Sequence, residues 1–220
     1  MVARVINARN HDLRFVNSGV KEAVLRGEAV VVRSAFHLHG LAAGLRGGQV
    51  TVMGDVGDYL GALNDGARIE VNGNSGKFTA DNMTSGEIVV DGSAGYGSGI
   101  GMYGGALLIR GNSGDYTAVI NKRGTIIVLG NVGEFLGVYM VGGDVVVLGD
   151  AGRNLGDWMI RGTICVRGEI ASLGHNTKCM TVAQDDREKL TSLFETYAID
   201  ADPSDFRKVI PESIRPFYGR

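Results

Sequence analysis

The chain has 220 residues, 22 Lys and Arg against 24 Asp and Glu, and a formal net charge of −2. That length bounds it to one domain with a short appendage, and the balance leaves no basic footprint for nucleic acid or anionic lipid. Its 35 glycines far exceed the average share of about 7%, yet only three prolines and the lack of a Gly-X-Y period exclude collagen.

Residues 1–45 read as an N-terminal coil without a clean repeat. Met1–Asn10 carries Arg4 and Arg9 but no apolar core, so no signal peptide is expected. Ala29 and Val31 follow Gly27 at strand spacing. The run Phe36-His37-Leu38-His39 would put two histidines on one face of a strand. No third ligand is visible, so no metal site is assigned.

Residues 46–175 carry the strongest signal. Gly54, Gly73, Gly92, Gly111, Gly130, Gly149 and Gly168 form a column with a constant step of 19 residues. Gly48, Ala67, Gly86, Gly105, Gly124, Gly143 and Gly162 open each unit. Two places later come Val50, Ile69, Ile88, Leu107, Ile126, Val145 and Ile164, and two places later again Val52, Val71, Val90, Ile109, Val128, Val147 and Val166. A spacing of two puts both aliphatic columns on one strand face, and their constancy makes that face the inside. A fixed short period marks a stacked repeat, and helical repeats are longer, at roughly 33 residues or more. The unit suits one rung of a parallel β-helix, with about seven coils stacked about 4.8 Å apart.

The second half of each rung reads Gly-x-x-Gly-x-x-x-(Gly/Ala). Its members are Gly54, Gly57 and Gly61; Gly73, Gly76 and Ala80; Gly92, Gly95 and Gly99; Gly111, Gly114 and Ala118; Gly130, Gly133 and Gly137; Gly149, Gly152 and Gly156. Asn or Asp often follows the first glycine, at Asp55, Asn74, Asn112, Asn131 and Asp150, which reads as a positive-φ turn. Tyr59, Phe78, Tyr116 and Phe135 share a column interrupted by Gly97 and Asn154, predicting a broken aromatic ladder. Met83, Met102, Met140 and Met159 share another with Asn64 and Asn121, as core packing or an adaptable contact face. The last unit degrades, with Ala171 in a glycine position, as terminal caps do.

Residues 176–220 read as a helical tail. Leu190, Leu193, Phe194 and Tyr197 have the spacing of one helix face. Asp202-Pro203 predicts the start of a second short helix holding Phe206, Val209 and Ile210 and stopping at Pro211. These helices would plug the open end of the solenoid or dock a partner, with Phe217-Tyr218 as an anchor.

Catalytic groupings are missing from the pattern. His11, His37, His39 and His175 are scattered, and none lies in a repeat column. Cys165 and Cys179 are too few for a disulfide framework and point to free thiols in a reduced, cytoplasmic setting. No apolar run reaches the ~18 residues of a membrane span. Gly97, Gly99 and Gly101 imitate part of a dinucleotide fingerprint, but they recur within rungs instead of opening a helix.

The run Gly-Asp-Val-Gly-Asp-Tyr-Leu-Gly (54–61), continued by Asp65-Gly66-Ala67-Arg68-Ile69-Glu70-Val71, resembles the GXGXG domain of glutamate synthases. The approach through Asn10-His11-Asp12-Leu13-Arg14 and Leu25-Arg26-Gly27-Glu28 is similar too, so the resemblance spans about residues 5–175. It implies a right-handed parallel β-helix. In the large glutamate synthase subunit this domain holds no catalytic residue. It is a spacer and scaffold between a class II glutamine amidotransferase domain and an FMN-binding synthase domain, between which ammonia travels internally.

Residue 2 is Val, so the amidotransferase's N-terminal cysteine is not in this chain, and neither is a flavin barrel. The resemblance therefore implies one subunit of a split complex, as in archaeal-type glutamate synthases or the N-methylglutamate synthase of methylamine metabolism. No catalytic, cofactor-binding or metal-binding residue is expected here. FMN, with an iron–sulfur cluster as a further candidate, is expected in partner subunits. The expected partners are a class II glutamine amidotransferase subunit and an FMN-binding synthase subunit in a hetero-oligomer without nucleic acid or membrane. The C subunit of formylmethanofuran dehydrogenase has similar repeats, and the alternative is the C subunit of such a formylmethanofuran dehydrogenase or formyltransferase/hydrolase complex. An acyltransferase on a left-handed β-helix is disfavoured, because its hexapeptide period gives about 18 residues per coil.

Overall fold

β-branched and aliphatic residues alternating at a step of two favour half-buried strands. The computed structural model, which describes residues 3–216, has such a strand in every coil. In chain order the elements are β1 (Arg4–Asn7), α1 (Leu13–Leu25), β2 (Val30–Arg33), β3 (Gln49–Met53), β4 (Asp65–Asn72), β5 (Ser85–Val90), β6 (Ala106–Ile109), β7 (Thr125–Val128), β8 (Asp144–Val147), β9 (Thr163–Val166), β10 (Thr177–Thr181), α2 (Gln184–Tyr197) and β11 (Arg207–Pro211). They form a parallel β-solenoid of about seven turns. One sheet runs β1-β2-β3-β4-β5-β6-β7-β8-β9-β11-β10, parallel from β1 to β9.

From β3 onward the register is the predicted one, whereas in β2 the inward residues are Val30 and Val32, opposite Val50 and Val52, one place on from the expected Ala29 and Val31. Val50, Ile69, Ile88, Leu107, Ile126, Val145 and Ile164 face one another across successive coils. Both aliphatic columns are at most 1% exposed and fill the core. After each strand the chain makes a one-residue bridge to its neighbours, in the column Val56, Ser75, Ala94, Ser113, Val132, Ala151 and Ile170.

The return segment of each coil is built differently. Every second residue there has positive φ, as at Tyr59 (58°), Gly61 (60°) and Leu63 (57°). Its amides point alternately up and down the stack. Tyr59 N donates to Lys77 O of the next coil at 2.7 Å, and Gly61 N to Leu41 O of the previous coil at 2.9 Å. The left-handed residues thus make a second inter-coil ladder, satisfying backbone groups that would otherwise be stranded. Gly97, Gly99 and Gly101 occupy three successive left-handed positions of this segment, at 71°, 72° and 65°, with no helix after them.

Gly54 aside, the first and second glycines of each unit have a different cause from the positive-φ turn that their look suggests. Gly114 does not have positive φ. A Cβ there would lie 2.8 Å from Tyr96 N and 3.0 Å from the Gly95 carbonyl carbon of the coil below. Close backbone approach excludes a side chain. The Asn/Asp column beside the first glycines acts between coils: Asn74 N donates to Asp55 Oδ1 (2.7 Å), and Asn131 N to Asn112 Oδ1 (2.8 Å).

The two ends depart from the expected picture. The spacing places no helix before residue 46, whereas α1 occupies residues 13–25. Asp12 caps it by accepting from Phe15 N at 2.8 Å, and Val16, Val20 and Ala23 are fully buried on one face. His37 and His39 follow β2 in a turn, not a strand.

At the other end the second helix reduces to a single 3₁₀ turn, Pro203–Asp205, capped by Asp202. Val209 and Ile210 lie instead in β11, which pairs antiparallel with β9 (Val209 opposite Ile164) and with β10. The free edge of β9 offers these β-branched residues a ladder, and tertiary pairing overrides the helical spacing. Pro211 ends the strand and Phe206 packs beside Phe194. Phe217-Tyr218 lies outside the described residues.

Candidate functional site

Among the described residues no cleft gathers the chain's reactive groups, so the candidate site is surface. The solenoid has two contrasting outer faces. On the sheet, the outward column Thr51, Glu70, Val89, Leu108, Ile127, Val146 and Cys165 turns apolar from β5 onward. Here α2 lies along the stack rather than plugging its end. Leu190 and Phe194, with Val182 and Phe206, bury Leu108, Ile127 and Val146 to 2% exposure or less. A 14-residue helix is about 21 Å long, which matches roughly four coil spacings.

Ion pairs fix the helix. Lys189 Nζ is 2.6 Å from Asp144 Oδ1, and Lys208 Nζ is 2.6 Å from Asp186 Oδ2. Burial opposes ionisation of Asp186, but hydrogen bonds from Lys208 and the Ala183 N–H outweigh it and set its pKa below the ordinary value. Burial also pushes the Tyr197 hydroxyl up to about 12, helped by Glu87. Beyond the helix end, Arg68 pairs with Glu70 (2.7 Å) and with Glu87, lining a polar cavity of about 410 Å³.

Cys165 lies under α2 at 5% exposure, and desolvation raises its thiol to about 12, which makes it inert. Cys179 is exposed on β10.

The return segments make the opposite face, and nothing in the described chain covers it. Tyr59, Leu63, Tyr96, Tyr103, Ile120, Tyr139 and Val141 all lie on these segments and are 37–58% exposed. The aromatic ladder is continuous across Gly97, one of the two expected breaks, and runs from Tyr59 to Phe135. Tyr59 stacks on Phe78 (4.8 Å), Phe78 meets Tyr96 (5.5 Å), Tyr96 meets Tyr116 (5.1 Å), and Tyr116 stacks on Phe135 (4.9 Å). Tyr96 bridges the gap at Gly97, whose Cβ would meet the Phe78 ring at 2.8 Å. A column count misses this ring because it belongs to the neighbouring column; a glycine at 97, where the Phe78 ring leaves no room for a side chain, is the signal. Trp158 stacks on His175 further along the same face (5.3 Å). Lys122 Nζ sits 3.7 Å from the Tyr103 ring centroid. Exposed aromatics in this number are characteristic of protein interfaces.

The methionine column is not part of that face. Met83, Met102, Met140 and Met159 are fully buried, and in the same column Asn121 donates to Gly124 O and accepts from Gly124 N, both at 2.9 Å. Ser113 and Thr117 share a buried hydrogen bond of 2.7 Å in the core.

His11 and His37 meet at one surface cavity, while His39 and His175 lie apart from them. His37 Nε2 lies 3.2 Å from His11 O, His39 Nδ1 accepts from Asp58 N at 3.0 Å, and His175 Nδ1 lies 2.8 Å from Asp157 Oδ1. Among the described residues, no group of three His, Cys, Asp or Glu could hold a metal, and no helix is long and apolar enough to cross a membrane.

Stacked coils, one face closed by a helix and the other left aromatic, define the class: a parallel β-solenoid that offers surface rather than a pocket. A family model for the GXGXG motif matches residues 100–199. That is the repeat of the C-terminal domain of the glutamate synthase alpha subunit, and residues 100–199 of this β-solenoid are similar to it. The same register continues back to β3, ahead of the matched stretch. No curated protein matches the chain.

Proposed function

We propose that the chain is the scaffold subunit of a multi-subunit, glutamine-dependent flavoenzyme of glutamate synthase or N-methylglutamate synthase type. In this reading it couples a class II glutamine amidotransferase subunit to an FMN-binding synthase subunit, and the reacting groups are theirs. The observation that carries it is the aromatic face, which runs the length of a closely packed GXGXG stack and has no cover within the described chain. Partner binding would bury Tyr59, Tyr96 and Tyr139 as anchors, the residue type that dominates interface energetics. The packed core supports the reading by holding the coils rigid, so a docked subunit keeps a fixed place.

Co-expression with candidate amidotransferase and flavin subunits tests it. The expected result is a stable ternary assembly, with glutamine-dependent turnover that the isolated chain lacks. Failure to copurify with either partner, or turnover by the chain alone, would reject it.

A further inference from the structure

The solenoid's two ends are not equivalent. At the C-terminal end β9 is covered by β11, and β11 by β10. At the N-terminal end β1 pairs only with β2, so its other edge is free among the described residues. Arg4 N donates to Ala29 O and Ala8 N to Arg33 O, both at 2.8 Å, which turns the even-numbered residues toward β2. The alternation of a parallel ladder then directs the backbone N–H and C=O groups of Val5 and Asn7 away from the sheet. Val5 is 57% exposed. Such an edge is a template for another strand.

The edge also borders a groove. β1 and α1 line an open surface groove of about 760 Å³. Gly19 and the exposed Phe15 give it an apolar wall, and His11 stacks on Phe15 at 4.0 Å. An adjoining cavity of about 750 Å³ shares His11 and Asp12 and reaches Arg9 and Phe36.

Charge identifies the occupant. Residues 4–33 hold six basic side chains (Arg4, Arg9, Arg14, Lys21, Arg26, Arg33) and three acidic ones (Asp12, Glu22, Glu28), a net +3. The rest of the chain holds 16 basic and 21 acidic, a net −5. The two acids that line the groove are committed, Glu22 being shared between Arg4 (3.3 Å) and Arg26 (2.6 Å) and Asp12 capping α1, while Arg9 and Arg14 line the two cavities beside them. A second copy meeting this end edge to edge would bring like charge against like charge.

We propose that the N-terminal end of the solenoid is a strand-addition site. An extended, acidic segment of a partner protein pairs with β1 as a further strand. Backbone bonds to Val5 and Asn7 hold it, an apolar side chain rests on Phe15 and Gly19, and carboxylates face Arg9 and Arg14. This deepens the scaffold reading and rests on it, since it supplies a second attachment point on a surface separate from the aromatic face.

The test uses the full chain and a fluorescein-labelled hexapeptide alternating glutamate with valine. Its lysine–valine counterpart and an N-methylated version serve as comparison probes. The expected result is binding of the acidic probe, weakened about tenfold or more by N-methylation or by lysine, and weakened by added salt. Val5→Pro removes an outward donor while leaving the β2 pairing intact, so it should weaken binding about tenfold with little change in melting temperature. Arg14→Glu should weaken it about fivefold. Equal binding of acidic and basic probes, or indifference to both N-methylation and Val5→Pro, would overturn the proposal. So would a Val5→Pro-sensitive homo-oligomer in sedimentation, which would assign the edge to a second copy. Copurification separates the two levels: if wild type captures the amidotransferase and flavin subunits and Val5→Pro does so equally, strand addition fails and the scaffold reading stands. If wild type captures neither, the scaffold reading fails, whatever the peptide does.

Discussion

The outer sheet face and the return-segment face belong to the same coils, yet the chain treats them oppositely. On the sheet, Leu108, Ile127 and Val146 are covered by the chain's own helix through Leu190 and Phe194. On the return segments, Tyr59, Leu63, Tyr96, Ile120 and Tyr139 remain exposed at 39–58%. An apolar strip that a protein closes with its own tail contributes to folding stability. One left open along several coils contributes little to the fold and is available for a partner. The same residue classes therefore carry different meanings, and the presence of cover separates them.

Breaking the covered face should cost the most. Phe194→Ala removes a ring that is 5% exposed and 5.4 Å from Phe206, and should destabilise by about 4 kcal/mol in denaturant unfolding. The thiols report the same cover. In the native chain Ellman's reagent should titrate Cys179 alone, with Cys165 reacting after denaturation or in Phe194→Ala. Rapid reaction of both native thiols would contradict the docking of α2.

Next comes the stacking itself. Gly114→Val pushes a Cβ and two methyls against the Tyr96 and Gly95 backbone and should cost about 3 kcal/mol, read as a lowered melting temperature. An unchanged melt would contradict the close approach of the coils.

Acid should act on the helix anchor. The carboxyl of Asp186 has its pKa below the ordinary 3.8, so the stabilisation is present above that value and is lost as pH falls through the lower, folded one. Melting temperature should therefore hold from neutrality to about pH 5 and fall in stronger acid. Asp186→Asn should remove that part of the fall and cost about 1–2 kcal/mol at neutral pH. An acid profile unchanged by Asp186→Asn would assign the effect to other carboxylates.

The open face should respond least in stability and most in assembly. Leu63→Ser and Ile120→Ser should shift stability by no more than about 0.5 kcal/mol, because both side chains are at least 40% exposed. Each should weaken capture of partner subunits. A stability loss comparable to that of Phe194→Ala would mean this face is a folding element too.

The core was legible because identical coils repeat the same physics: Val50 to Ile164 and Val52 to Val166 line up as their spacing dictates. What escaped was whatever departs from the 19-residue step. α1 has an ordinary cap and buried face in Asp12, Val16, Val20 and Ala23, but these stand outside the repeat. Phe206, Val209 and Ile210 have the i, i+3, i+4 spacing of a helix face, and only the free edge of β9 draws Val209 and Ile210 into β11 instead. The role of Gly114 is set by the backbone of another coil, which no local turn rule contains. The open aromatic face was visible as a ladder, while its exposure depended on where α2 settles. That helix fits the apolar column from Val89 to Cys165 and not the return segments.

Hydroxyl-radical footprinting of the chain, free and in complex with amidotransferase and flavin subunits, tests the central claim most directly. The account predicts that Tyr59, Tyr96 and Tyr139 are oxidised in the free chain and protected in the complex, while Phe194 is protected in both. Equal oxidation of the three tyrosines in the free chain and in a stably isolated complex would contradict it.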